Sequence, residues 1–229
     1  AVMAALISLA DNLSKGRLTL GIGSGANRSD LEAINLLEAD NYSLMLESYK
    51  IINKILNSND IVDIKSENFK ISTIQTKSNE FGLGFFNKLY KERNDLEIIL
   101  PVLNKNSRNT EVSAKNNWSI AISNFCSDDV VENHINNYLN FSSLKKEDAL
   151  KKIKLTKFIY VNENDAEKHI FSEESPYMEL INILFKKLKK FNKHQCFGKN
   201  VNSPLEAAKN IILYGTPDTI KDKLNIFKQ

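Results

Sequence analysis

Amphipathic helical stretches alternate with short apolar runs along almost the whole chain, and this alternation restricts the fold more than any other feature. Residues 2–14 place Val2, Leu6, Leu9 and Leu13 on one helical stripe, Gly16 breaks it, and Leu18–Ile22 reads as a strand. A second amphipathic helix over 41–57 carries Met45, Tyr49, Ile52 and Leu56. The alternating stretch 61–74 reads as a small hairpin. Leu96–Leu103 is a strand despite Pro101, followed by a short helix through Val112 and Ala114 and a strand over Trp118–Ser123. Ser127-Asp128-Asp129 starts a helix with Val131, Ile135 and Tyr138 on one face, and Leu155–Val161 is the next strand. Helices over 165–171 and 176–191 follow, the second with Leu180, Leu184, Leu188 and Phe191 inward and lysines outward. Thr216-Pro217-Asp218 opens the last helix, combining an N-cap, a proline at the first position and an early acid. Repeated helix-then-strand order with nearly uniform apolar strands predicts a parallel sheet covered by helices, because both faces of such a sheet are buried.

Composition narrows the function classes. The 229 residues are 42% hydrophobic and 26% charged with only 8 Gly and 4 Pro, which excludes collagen-like or low-complexity chains and wholesale disorder. No apolar run reaches the roughly 20 residues a membrane helix needs, and the apolar opening Ala1–Ile7 lacks the basic flank of a signal peptide. A cytoplasmic protein without membrane partners is expected. The net charge of +3 comes from a small lysine surplus, with Arg17, Arg28, Arg93 and Arg108 the only arginines, so nucleic acid is not an expected partner. Cys126 and Cys196 read as two reduced thiols, and no cluster has metal-ligand spacing.

The sharpest local motif is Gly21-Ile22-Gly23-Ser24-Gly25-Ala26 at a strand end. Taken alone, Gly21-x-Gly23-x-x-Ala26 with Asp40 downstream fits a Rossmann-type nicotinamide site, where glycines let backbone amides approach a pyrophosphate. Against that stand the polar residues Asn27-Arg28-Ser29-Asp30, where an apolar helix should begin at once.

The wider string Asp11-Asn12-Leu13-Ser14-Lys15-Gly16-Arg17-Leu18-Thr19-Leu20-Gly21-Ile22-Gly23-Ser24-Gly25 resembles the bacterial-luciferase-like flavin-dependent monooxygenase family. The resemblance continues through Tyr42–Leu56, Leu96–Thr110 and Tyr214-Gly215-Thr216-Pro217-Asp218-Thr219-Ile220, in the family's order, and is loose over 60–95 and 162–203. It implies an α/β fold, a TIM-type (β/α)8 barrel that is incomplete here: about strands four to seven with flanking helices, in one partial domain over residues 1–229. It also implies reduced FMN, delivered by a separate reductase or by NAD(P)H, acting with O2 on a small organic substrate such as an aldehyde. A deazaflavin in place of FMN stays open.

Placed on the family's first phosphate-side turn are Gly23, Ser24 and Gly25, with Ser24 where several members have Arg and Arg28 four residues on. On its second are Asn106, Ser107, Arg108, Asn109 and Thr110, where a helix start, a hydroxyl and a guanidinium could hold a phosphate dianion. Asn106 or Ser107 could equally be a plain N-cap. Tyr42 stands where some members use a phosphate-binding Arg, and the family's catalytic histidine has no transferable counterpart. His134 reads as a satisfied core histidine, His169 as exposed, and His194-Gln195-Cys196-Phe197-Gly198 as an anchored loop beside the substrate region. The chain opens and closes on helices that lack a covering strand, so unpaired strand flanks and an uncovered helix 2–14 are expected to favour a homo- or hetero-oligomer. The alternatives are the Rossmann-type oxidoreductase and a non-catalytic flavin-binding or interaction half-barrel.

Overall fold

A computed structural model describes residues 1–25, 27–58, 61–75, 88–93 and 96–226. The chain forms two compact units, Ala1–Ile98 and Ile99–Gln229.

The first unit begins with α1 (Val2–Leu13), β1 (Thr19–Gly21), α2 (Arg28–Ala33) and α3 (Asn41–Asn57). β2 (Asp63–Lys65) and β3 (Lys70–Ser72) form the expected hairpin, antiparallel with Ile64 opposite Ile71. Its core joins Ala4 and Ile7 of α1 to Ile51, Ile55 and Leu56 of α3, with Val62 and Leu89. The helical stripe read from α1 faces outward: Val2, Leu6, Leu9 and Leu13 are all at least half exposed, while Ala4, Ile7, Ser8 and Asp11 are buried. From α1 it is Ala4, Ile7, Ser8 and one polar network, not the leucine stripe, that set this packing.

That network centres on Asp11, which is fully buried. Arg93 reaches it with Nη2 at 2.7 Å from Oδ1 and Nε at 3.2 Å from Oδ2, and the Tyr90 amide donates to Oδ2 at 2.9 Å. The same guanidinium donates to the carbonyls of Gly16 at 2.8 Å and Leu18 at 3.0 Å. Four contacts from one arginine therefore tie the end of α1 to the turn that leads into β1.

β4 (Glu97–Val102) runs across the boundary between the units. The second unit continues with α4 (Arg108–Lys115), β5 (Ser119–Ile122), α5 (Asp128–Phe141), α6 (Lys146–Lys151), β6 (Ile153–Leu155) and β7 (Phe158–Val161). It ends with α7 (Ala166–Ile170), α8 (Pro176–Lys190), α9 (Pro204–Ile211), β8 (Ile212–Gly215) and α10 (Pro217–Ile226). The pairs β4–β5 and β5–β6 are parallel, as the alternating order predicts, with Leu100 opposite Ile120 and Ile120 opposite Ile153. In the second unit β4, β5 and β6 form a parallel sheet in that order, and β7 with β8 a separate parallel pair.

Two further expectations are corrected. The single strand expected over 155–161 is two strands. Its break falls at Thr156, whose amide and hydroxyl both donate to the Ile122 carbonyl, at 3.2 and 2.7 Å, and at Lys157, which pairs with Asp128 at 2.6 Å. β7 then leaves β5 and pairs in parallel with β8, a strand the periodicity did not reveal. α8 buries Met178, Ile181 and Phe185; Leu180 and Phe191 are about two-fifths exposed, so its inward face is turned from the expected leucine stripe. Phe227, expected to face inward from the last helix, lies outside the described residues.

Candidate functional site

The two turns singled out in the sequence are each built by a strand running into a helix. In the first unit, Gly23-Ser24-Gly25 follows β1 and precedes α2, with Ala26 outside the described residues. Gly25 has φ +80°, and a Cβ there would come within 3.1 Å of Leu31 Cδ2, so glycine is the residue this turn requires. α2 has six residues and buries none of them. Its Arg28 lies 3.9 Å from Glu38, with both side chains largely exposed. Asp40, the residue a Rossmann site needs for a ribose, instead caps α3, accepting from the Ser43 amide at 3.2 Å and the Ser43 hydroxyl at 2.7 Å. A dinucleotide site would need a long buried helix and a ribose carboxylate, and neither is offered here.

In the second unit, β4 ends at Val102 and the chain turns through Asn104–Asn106 into α4. Ser107 is the N-cap, its hydroxyl accepting from the Asn109 amide at 3.3 Å. The Asn109 side chain donates back to the Pro101 carbonyl at 2.7 Å, so the proline that looked out of place in a strand supplies an acceptor. Thr110 is buried, and its hydroxyl lies 3.0 Å from His134 Nδ1 on α5. Asn133 donates to the Lys105 carbonyl at 2.7 Å, and Cys126 Sγ to the Leu103 carbonyl at 3.4 Å. The start of α4 is thus clamped from β4 and α5. Ser107, Asn109 and Thr110 shape the turn through internal bonds, while Asn106 and Arg108 are the exposed members of the predicted set.

Burial governs the titratable groups beneath this turn. His134 is fully buried and its pKa is pushed down to about 4, so the imidazole is neutral and serves as an anchor for α4. Burial pushes the Cys126 and Cys196 thiols up to about 12, which keeps them protonated and poorly nucleophilic. His169 is exposed as expected. Among the described residues no group of His, Cys, Asp and Glu could hold a metal ion. No described helix is long and apolar enough to cross a membrane.

Sequence reasoning did not foresee a cavity of about 470 Å3 in the second unit, where Lys105 meets the first turn of α5 and the segment His194–Asn202. Its only sequence signal was the conjunction of His, Cys and Gly at 194–198.

Residues 1–81 match the model of the luciferase-like monooxygenase family. No curated protein matches the chain in sequence. Among solved structures, the oxygenating constituent of 3,6-diketocamphane monooxygenase from Pseudomonas putida, a type II Baeyer–Villiger monooxygenase in complex with FMN, superposes with a TM-score of 0.75. It is 18% identical, and the match covers 98% of this chain and 64% of that one. A monooxygenase from Streptomyces bottropensis gives a TM-score of 0.65 at 13% identity, over 99% of this chain and 62% of that one. An F420-dependent secondary alcohol dehydrogenase in complex with an F420–acetone adduct gives 0.59 at 11% identity, over 99% and 65%. The chain therefore spans just under two thirds of the length of these solved relatives. It is an α/β protein with the fold of the luciferase-like monooxygenase barrels, and its first 81 residues carry that family's sequence pattern.

Proposed function

We propose that the protein is a flavin-dependent monooxygenase, or the part of one that holds the flavin phosphate, using reduced FMN and O2 on a small organic substrate. The observation that supports this best is the clamped start of α4 at the end of a parallel strand, in a chain whose first 81 residues match the luciferase-like family model. The donor set fits a phosphate dianion: an eight-residue helix presents its N-terminus there, with the Arg108 guanidinium and the Asn106 amide on the exposed side. Asn106 and Arg108 bind the phosphate. Ser107 and Asn109 hold the turn in shape, and the Thr110–His134 contact fixes its depth. In the first unit, taken by itself, Gly25 at φ +80° leaves the Gly23-Ser24-Gly25 turn open to close backbone approach by a ligand. When bound, reduced FMN supplies the oxygen-activating chemistry. The chain's own contribution is binding and orientation.

Flavin fluorescence quenching tests this. FMN is expected to bind saturably, and Arg108→Ala to weaken it by about 1–3 kcal/mol, one charge-assisted pair. Riboflavin, which lacks the phosphate, should bind alike to both proteins. Equal FMN affinity in wild type and variant would refute the assignment of Arg108. A parallel titration with the deazaflavin F420 decides the flavin type: tighter binding of F420 than of FMN would overturn the choice of FMN.

A further inference from the structure

The cavity of about 470 Å3 in the second unit lies outside the proposed flavin contacts, although Lys105 on its wall directly precedes Asn106. Its volume is that of a small-molecule site. Three segments build it. Lys105 comes from the turn before α4, Asp129 and Val130 from the first turn of α5, and the rest from His194 through Asn202, between α8 and α9.

The walls are held in place by the fold. The Ser127 amide donates to the Cys196 carbonyl at 2.9 Å, and Asn210 donates to the Phe197 carbonyl at 3.0 Å, stitching the 194–198 segment to both α5 and α9. Gly198 has φ +117°, and a Cβ there would sit 3.0 Å from Asn210 Nδ2 and 3.3 Å from Ser127 Oγ. Only glycine allows this approach. Beyond it, Val201 is buried, and Glu206 accepts from the Asn202 amide at 2.7 Å within the capping box of α9. A cavity bounded by such fixed backbone is preformed.

Its lining is mixed, slightly more polar than apolar, and its two lysines outnumber its one carboxylate. Lys105 and Lys199 line it together with a single carboxylate, Asp129, which already accepts from the Ser127 hydroxyl at 2.5 Å. Gln195, Asn200 and Asn202 add amides to the wall, and buried Val130 is the apolar element of the α5 wall. His194 also lines the space, its ring packed edge-on against Phe185 with centroids 6.3 Å apart.

We propose that this cavity is a binding site for a small oxyanion-bearing molecule, a carboxylate or a phosphate ester, held by Lys105 and Lys199 beside His194. A purely aliphatic ligand would leave the amides and ammonium groups without partners in place of the water they lose. The site draws only on residues of the second unit and does not depend on flavin binding.

The three histidines make the test direct. Their ring resonances are followed by NMR in the full chain while malonate and, separately, inorganic phosphate are added. His194 should shift saturably with at least one of the two, with half-saturation at about 1 mM or below, and His169 should stay put. The probe that binds more tightly identifies the source, carboxylate or phosphate. Lys105→Ala combined with Lys199→Ala should weaken the His194 response at least about tenfold, whereas Arg108→Ala should leave it unchanged. His134, beside Thr110, reports on the α4 turn. A shift of His134 without His194 would place the anion at the proposed flavin-phosphate turn and overturn the cavity proposal. No saturable shift of His194, or one that survives in the double lysine variant, would overturn it too.

Discussion

Arg93→Ala is the substitution from which the first unit should suffer most. The side chain makes four contacts of 3.2 Å or less, two with the Asp11 carboxylate and two with the carbonyls of Gly16 and Leu18. Asp11 is fully buried, and after the change its carboxylate would keep, among the described residues, only the Tyr90 amide. An ion that has lost its partner in the interior costs about 3–5 kcal/mol, because its desolvation is no longer offset. Arg93 itself is partly exposed, 22% for the side chain, which favours the lower end of that range. Asp11→Ala leaves the guanidinium two carbonyl acceptors and a path to water, so it should cost less than Arg93→Ala. The double variant Asp11→Ala/Arg93→Ala should cost less than the sum, with a coupling of about 2 kcal/mol or more. Urea denaturation of the four proteins measures this, and hydrogen exchange of the α1 and β1 amides shows where the loss falls. A cost below about 1 kcal/mol for Arg93→Ala, or additivity of the two changes, would show that the pair behaves as a surface ion pair and does not fix the entry to β1.

Two further outcomes follow from burial and exposure. His134 has its pKa lowered to about 4 from an ordinary 6.5, so between these values the unfolded chain takes up a proton that the folded chain refuses. Its contribution, on the order of 3 kcal/mol, is present above pH 6.5 and is lost as pH falls toward 4; urea midpoints at the two ends should show this slope, and His134→Gln should flatten it. The exposed stripe Val2, Leu6, Leu9 and Leu13 on α1 should drive self-association measurable by light scattering, and Leu6→Lys with Leu9→Lys should reduce it; a monodisperse wild type would remove that expectation.

What the sequence determines by itself is the identity and order of elements whose signals are local. α10 begins at Pro217, after the Thr216 cap that accepts from the Thr219 amide, because capping chemistry acts within one turn. The β2–β3 hairpin, α3 and the strand over 97–102 follow from period and flanking polar residues in the same way. The parallel pairing of β4 with β5 and of β5 with β6 follows from helix-then-strand order and right-handed crossovers.

What only the tertiary structure decides is which neighbour each face meets. A helical stripe reports amphipathicity but not direction, so α1 turns its leucines outward once Asp11 finds Arg93, 82 residues away, and α8 rotates to bury Phe185 against Phe197. The strand over 155–161 breaks because Thr156 is drawn to a carbonyl 34 residues earlier. At the candidate flavin turn, the types Asn, Ser, Arg and Thr are legible as phosphate ligands, but their roles depend on distant acceptors: Thr110 is claimed by His134, while Asn106 and Arg108 stay exposed. The cavity beside it was hidden for the same reason. Lys105, Asp129 and His194 are far apart in the chain, and only the folded backbone, with glycine at 198, brings them around one space.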